Sequence, residues 1–242
     1  MSAELSAELS AELPAELRRL AGAVRPTTLA ADRTLPVHEA LAPLFALGGL
    51  ARSSTIGVSG PGATSLALAV AAGPSSAGAW VGFVGAERVG WAAAAELGVA
   101  AERTLVVCDV GHGQWSTATA ALIDAVDVVV ASPAHQVSLS DARRLAARTR
   151  ERGAVLLVVQ PRSSWPMAFD VGLEVTGAEW SGVGVGHGRL AARRVTVSAG
   201  GRRGAARARE VTMWLPAEMG RPAAIGQRRV EVEPADRHLR AV

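Results

Sequence analysis

The residues whose types and spacing could do chemistry are Gly57-Val58-Ser59-Gly60-Pro61-Gly62-Ala63-Thr64-Ser65. They stand between a short apolar strand pattern (55–58) and a helical one (66–72). The spacing is that of a phosphate-binding loop, G-x-x-x-x-G-K-[ST], with Gly57 and Gly62 as its glycines and Thr64 as the magnesium-binding hydroxyl. Glycines let such a loop aim backbone N–H groups at phosphate oxygens, and the helix N-terminus adds partial positive charge. A lysine then supplies the full charge that the β- and γ-phosphates need during phosphoryl transfer. Here that position is Ala63. The shape is kept without the chemistry, which predicts a nucleotide-binding scaffold with no ATPase activity. An ordinary βα turn with glycines for tight packing would give the same pattern.

The elements that must position this loop follow from composition and order. A chain of 242 residues that is 49% hydrophobic suits one α/β domain with extensions. No apolar run reaches the roughly 18 residues of a membrane span. The first residues are acidic (Glu4, Glu8, Glu12, Glu16), unlike a secretory signal, so a cytoplasmic protein is expected. The single cysteine, Cys108, lies in an apolar strand pattern and is expected in the core. No Cys/His cluster has metal-ligand spacing. His112 and His187, both flanked by glycines, are expected in loops, and Trp115 and Trp214 in packing. Every basic side chain is Arg, which raises the isoelectric point to about 10.6 although the net charge is only +3. Seven arginines and no acid fall between Arg189 and Arg209.

Residues 2–17 repeat Ser-Ala-Glu-Leu three times and end on Pro-Ala-Glu-Leu, a helix-forming composition interrupted at Pro14. Residues 1–36 are expected to be a low-complexity or helical extension and linker. The periodicity predicts a helix over 37–47, a turn at Gly48-Gly49, and strands over 55–58, 80–84, 104–108, 126–131 and 154–159. Helices are predicted over 91–97, over 116–124, and from Ser140, as N-cap, to Gly153. The last carries Arg143, Arg144, Arg148 and Arg150 on its outer face. Continuous apolar strands alternating with helices imply a mostly parallel central sheet covered on both faces. Residues 161–188 give only weak strand signals. Strands over 193–198 and 210–215, around the Gly200–Gly204 turn, form a C-terminal β-hairpin, and 216–242 is expected to be a flexible tail.

Five short motifs in this order resemble the ATPase core of the RecA recombinase family over residues 37–215. They are Ala46-Leu47-Gly48-Gly49-Leu50, the loop and first helix from Gly60 to Leu68, and Phe83-Val84-Gly85-Ala86-Glu87 with Glu96-Leu97-Gly98-Val99. The strand ending in Ala131-Ser132 and the strand ending in Gln160 complete the set. The resemblance implies a nucleotide site built from Gly57, Gly60, Gly62, Ala63, Thr64, Ser65, Glu87 and Gln160. Glu87 then matches the catalytic glutamate and Gln160 the nucleotide sensor, while Ala131 stands where the family's magnesium-placing aspartate belongs. A general base is of no use without a charge-neutralised phosphate and its metal. The site reads as degenerate, with no catalytic residue, no metal and no cofactor, and weak nucleotide binding is left open.

Within the superfamily the chain resembles ImuA-type proteins, in the actinobacterial form without a working phosphate loop. That resemblance implies an adaptor in DNA-damage-induced mutagenesis, within the SOS response and translesion synthesis, whose partners are RecA and a Y-family polymerase homologue. A SulA-type inhibitor of the division GTPase is the alternative from another class. A third reading is single-stranded DNA binding, with Arg189, Arg193, Arg194, Arg202, Arg203, Arg207 and Arg209 on phosphates and Trp180 or Trp165 stacking on bases. A fourth is an ATPase in which an arginine from elsewhere in the chain enters the loop in place of lysine.

Overall fold

The computed structural model describes residues 33–87, 89–159, 165–184, 187–201, 209–218 and 220–225. One compact unit begins at Thr34. In chain order its strands are β1 (Thr34–Leu35), β2 (Leu50–Ala51), β3 (Ser54–Ser59), β4 (Val81–Val84), β5 (Thr104–Val107), β6 (Val128–Ala131) and β7 (Val155–Val159). They are followed by β8 (Val171–Gly184), β9 (His187–Gly200), β10 (Arg209–Trp214) and β11 (Ala223–Ala224). The helices are α1 (Ala63–Ser76), α2 (Trp91–Leu97), α3 (His112–Ala125) and α4 (Leu139–Arg152). Among the described residues, nine strands form one sheet in the order β11-β10-β9-β8-β3-β7-β6-β4-β5. From β8 to β5 the pairing is parallel, and β8, β9, β10 and β11 pair antiparallel. The expected α/β class, parallel sheet and C-terminal hairpin are all present.

The apolar strands explain this arrangement. In β6 and β7 every residue is buried, and side chains alternate between two cores. Val128, Val130, Val155, Leu157 and Val159 pack with α1, while Val129, Ala131, Leu156 and Val158 pack with α3 and α4. A strand apolar on both faces has to be covered on both faces. β3 joins the two halves: Ile56 to Ser59 pair with Val171 to Glu174 on one side, and Ser54 to Val58 with Val155 to Val159 on the other. Asp170 fixes this junction by accepting from the Thr55 amide (2.9 Å) and hydroxyl (3.0 Å).

Four expectations are corrected. Residues 37–47 form turns and one short 3₁₀ segment, Ala42–Leu44, because Pro43 has no N–H with which to continue a helix. Cys108 is exposed, because it follows β5, the half-covered edge strand where Leu105 and Val106 also face outward. The N-cap of α4 is Ser138, which accepts from the Asp141 amide at 3.0 Å, and not Ser140. The stretch with weak strand signals holds the whole of β8, a 14-residue strand paired along β9. Its glycines lower intrinsic β-propensity, and pairing with a neighbour overrides that.

The arginines of α4 are only partly a free solvated face. Arg148 donates through Nε (2.7 Å) and Nη2 to Asp124 of α3, and Arg152 adds a bond of 2.9 Å. Arg144 pairs with Asp141, and Arg143 and Arg150 are exposed. The hydrogen bonds from Arg148, reinforced by Arg152, hold the Asp124 carboxyl down at about 2. A depressed folded-state value contributes stability that is complete above the unfolded value near 4 and is lost as pH falls towards 2. Asp124→Asn is therefore expected to lower stability at neutral pH and to flatten the pH dependence below 4. Urea unfolding at a series of pH values checks this, and a variant as acid-sensitive as the parent would refute it.

Candidate functional site

The loop at the carboxyl end of β3 has three residues, Gly60-Pro61-Gly62, between Ser59 of the strand and Ala63 of the helix. Gly57 is not part of it. It sits inside β3, in register with Val158 and Gly172, and a Cβ there would lie 2.4 Å from the Phe169 ring. Its lack of a side chain serves that packing, so the four-residue spacing read from the sequence does not form one loop. Gly60 and Gly62 both have positive φ, +91° and +78°, as a tight strand-to-helix turn requires.

The rest of the sequence-predicted site is apolar or open. Ala63, the first residue of α1, is buried in the core, and Thr64 next to it is exposed. Ala131, at the end of β6, is fully buried against α3 and α4. Thr64, Leu68, Phe83, Ala86, Val130 and Val159 line a cavity of about 50 Å³ between α1 and the ends of β4, β6 and β7. Small-molecule sites run to roughly 300–1,000 Å³, several times this volume. Glu87, just beyond β4, is exposed. Gln160 lies outside the described residues.

A cation from elsewhere does stand at this loop. Arg193, on β9, is only 7% exposed, and its guanidinium lies against Gly62. A Cβ at position 62 would fall 2.2 Å from Nη1, 2.6 Å from Nη2 and 2.7 Å from Cζ. Nε donates to the Leu215 carbonyl at 2.9 Å, and the Trp180 ring centroid is 5.5 Å from Cζ. Nη2 is buried with no hydrogen-bond partner among the described residues. Burial pushes the pKa of this guanidinium down from its ordinary value. The sequence carried a signal for this: Arg193, Val195, Val197 and Ala199 alternate along β9, and the last three are buried. Reading the seven arginines as one basic cluster hid it.

That cluster is divided. Arg193 points into the molecule, which corrects its assignment to an exposed nucleic-acid surface. Arg194 points out and pairs with Glu179 at 2.8 Å, and Arg189 is exposed. Arg209 is half-buried, and Arg202, Arg203 and Arg207 lie outside the described residues. Trp180 is 49% exposed and lines an open depression of about 370 Å³ with Arg194, Trp214 and Ile225. Trp165 is buried and stacks on Phe169, so it is not free to stack on a base. At the far side of the sheet's carboxyl edge, His112 opens α3 and stacks on His135 with ring centroids 4.6 Å apart. Burial, with the neighbouring His112, lowers the pKa of His135. Trp115 is buried beside this pair, as expected of a packing residue.

Strand order, crossover helices and a glycine turn opening α1 define a RecA-like α/β fold. The crystal structure of the RadB recombinase shares it, with a TM-score of 0.52 and 16% identity over 74% of this chain and 94% of that one. The flagellar accessory protein FlaH from Methanocaldococcus jannaschii aligns with a TM-score of 0.49 and 12% identity, over 75% of this chain and 93% of that one. The chain belongs to the MT3502 N-terminal domain family, whose profile matches residues 43–167. It is also similar to Rv3395c of Mycobacterium tuberculosis (strain ATCC 25618 / H37Rv), at 33% identity over 172 residues, covering 64% of this chain and 84% of that protein.

The contact between Gly62 and Arg193 predicts a coupled pair. Gly62→Ala should destabilise the chain by about 1–3 kcal/mol, because the Cβ meets both the positive φ and the guanidinium. In an Arg193→Ala background the same change should cost less, since only the backbone strain remains. A urea-unfolding double-mutant cycle measures this, and strict additivity would refute the contact.

Proposed function

We propose that this chain is a non-hydrolysing RecA-fold adaptor in DNA-damage-induced mutagenesis and translesion synthesis, and that it binds RecA and a Y-family polymerase homologue. The observation that carries the reading is the contrast at the carboxyl edge of the sheet. The scaffold that presents a nucleotide in RecA-like folds is intact, while the site itself is an apolar cavity of about 50 Å³ behind a three-residue loop. Phosphoryl transfer depends on positioned charge around the phosphates. Here the lysine position is a buried alanine, the aspartate position is a second buried alanine, and the cation found at the loop among the described residues, Arg193, is packed on Gly62.

A fold retained without its chemistry suits a role in which its surfaces are recognised. RecA-fold protomers polymerise by placing neighbours across the nucleotide site, so a chain of this shape can cap or modulate such a filament. The ImuA-type resemblance of the motifs supplies the mutagenesis context. Two measurements test the proposal. Steady-state ATP hydrolysis should stay at background in the native chain and in Ala63→Lys, because one lysine neither lengthens the loop nor moves Arg193. Purified chain should retain RecA and the polymerase homologue in a pull-down from DNA-damaged cells. Turnover of ATP, or failure to associate with either protein, would overturn it. Filamentous cells on overexpression with an unchanged mutation rate would favour a SulA-type division inhibitor instead.

A further inference from the structure

The parallel half of the sheet ends in a bare edge. β5 pairs with β4 along all four of its residues, Thr104 to Val107, and no strand lies on its other side among the described residues. Natural edge strands are blunted by lysine, proline, a bulge or an inward-pointing charge. β5 reads Thr-Leu-Val-Val and has none of these. Leu105 and Val106 project to opposite faces, yet they are 39% and 40% exposed, whereas Val81, Phe83 and Val84 of the adjoining β4 are completely buried. Neither face of β5 is fully covered, and the exposure continues through Arg103, Cys108 and Asp109. An apolar, uncharged strand with one edge and parts of both faces open is a template for another strand.

We propose that this edge pairs with the β5 edge of a second copy of the chain, antiparallel, about a two-fold axis through Val106. The geometry of an antiparallel pair restricts the register. Residues directly opposite each other either both bond across the pair or both point away from it. The two kinds alternate along a strand, so a strand that pairs with its own copy must centre on a residue and not between two. Centring on Val106 sets Leu105 opposite the partner's Val107, Thr104 opposite the partner's Cys108, and Arg103 opposite the partner's Asp109, each twice by symmetry. Arg103 and Asp109 are exposed, and neither has an ion pair among the described residues. The Arg103 side chain donates to the Gly78 carbonyl at 3.0 Å, which leaves its charge unneutralised. Centring on Leu105 would set Arg103 against Val107 and Asp109 against Ala101, with no charge matched. The Val106 register puts unlike charges at both ends of the pairing and covers the exposed Leu105 and Val106 of both copies. A two-fold contact uses both edges at once, so assembly stops at two chains. Four residues a side fall short of the roughly 1,200 Å² of a stable interface, so the dimer is transient and grows with concentration. Nothing in it depends on nucleotide or on the adaptor role.

Sedimentation equilibrium of the full chain over a range of concentrations tests the pairing, and the average mass should climb from one chain towards two. Val106→Lys, which sets two like charges on the axis, should remain at one chain throughout. Its thermal unfolding should stay close to the parent's, because Val106 belongs to neither core. Disulfide trapping reads the register. In a Cys108→Ser background, Val106→Cys brings two thiols together at the axis, and mild oxidation should give a cross-linked dimer on a non-reducing gel. Leu105→Cys in the same background meets its own copy only on the diagonal, at roughly 7–8 Å, beyond the span of an unstrained disulfide, and should cross-link roughly tenfold or more slowly. Trapping needs no lysine variant, so it decides the matter even if Val106→Lys unfolds. A mass of one chain at every concentration, growth past two chains, association of Val106→Lys like the parent, or Leu105→Cys trapped as fast as Val106→Cys would each overturn the proposal.

Discussion

β3 lies between a strand of the parallel half and the first strand of the antiparallel half, and its two neighbours decide everything at its carboxyl end. On one side β7 and β6 bring apolar ends to the sheet edge, so the space behind the loop closes into a small apolar cavity. On the other side β8 runs on past the loop to Gly184, carrying β9 with it. Because β8 and β9 outrun β3, a residue far away in sequence reaches the turn that opens α1. The clamp of Asp170 on Thr55 sets the register of that junction. A one-residue slip would send the row of Arg193, Val195 and Val197 to the opposite face.

Electrostatics divides this edge into two unlike zones. Around Thr64 and the ends of β4 and β6 no charged side chain among the described residues lines the cavity, and Glu87, just beyond it, is exposed. At Gly62 a guanidinium is held in place by a carbonyl and an indole, neither of which neutralises it. The second zone holds a fixed positive charge. The sequence had left open that an arginine from elsewhere enters the loop. Arg193 does reach the loop, where its guanidinium lies against Gly62.

Much of the architecture was legible in the sequence. The runs at 128–131 and 155–159 are apolar at every position, and only a strand buried on both faces needs that pattern. Glycines ended α2 and α4 where expected, because a left-handed residue after a helix favours glycine. These are local properties, and local energetics settles them. Proline at 43 was equally visible and was outvoted by the apolar spacing around it. Cys108 and the 161–188 stretch were misjudged for a different reason. Whether an apolar strand lies at the edge, or a glycine-rich one is paired, depends on neighbours that the residues themselves do not name.

The candidate site divides along the same line. The sequence by itself determined that lysine is absent from position 63, that alanine and not an acid stands at position 131, and that glycines occupy 60 and 62, because these are facts of residue type. Only the tertiary structure decided that Gly57 belongs to the strand, where the Phe169 ring occupies its side-chain space. Only it showed that the described arginines of this stretch split, with Arg193 buried and Arg189 and Arg194 exposed. The physical reason is that a strand sends successive side chains to opposite faces, and which face is inside is fixed by the partner it packs against. Alternation is written in the chain, but burial is written in the contact. Arg193 lies at the loop because β9 pairs with β8 and β8 with β3, and no stretch of the sequence states that pairing.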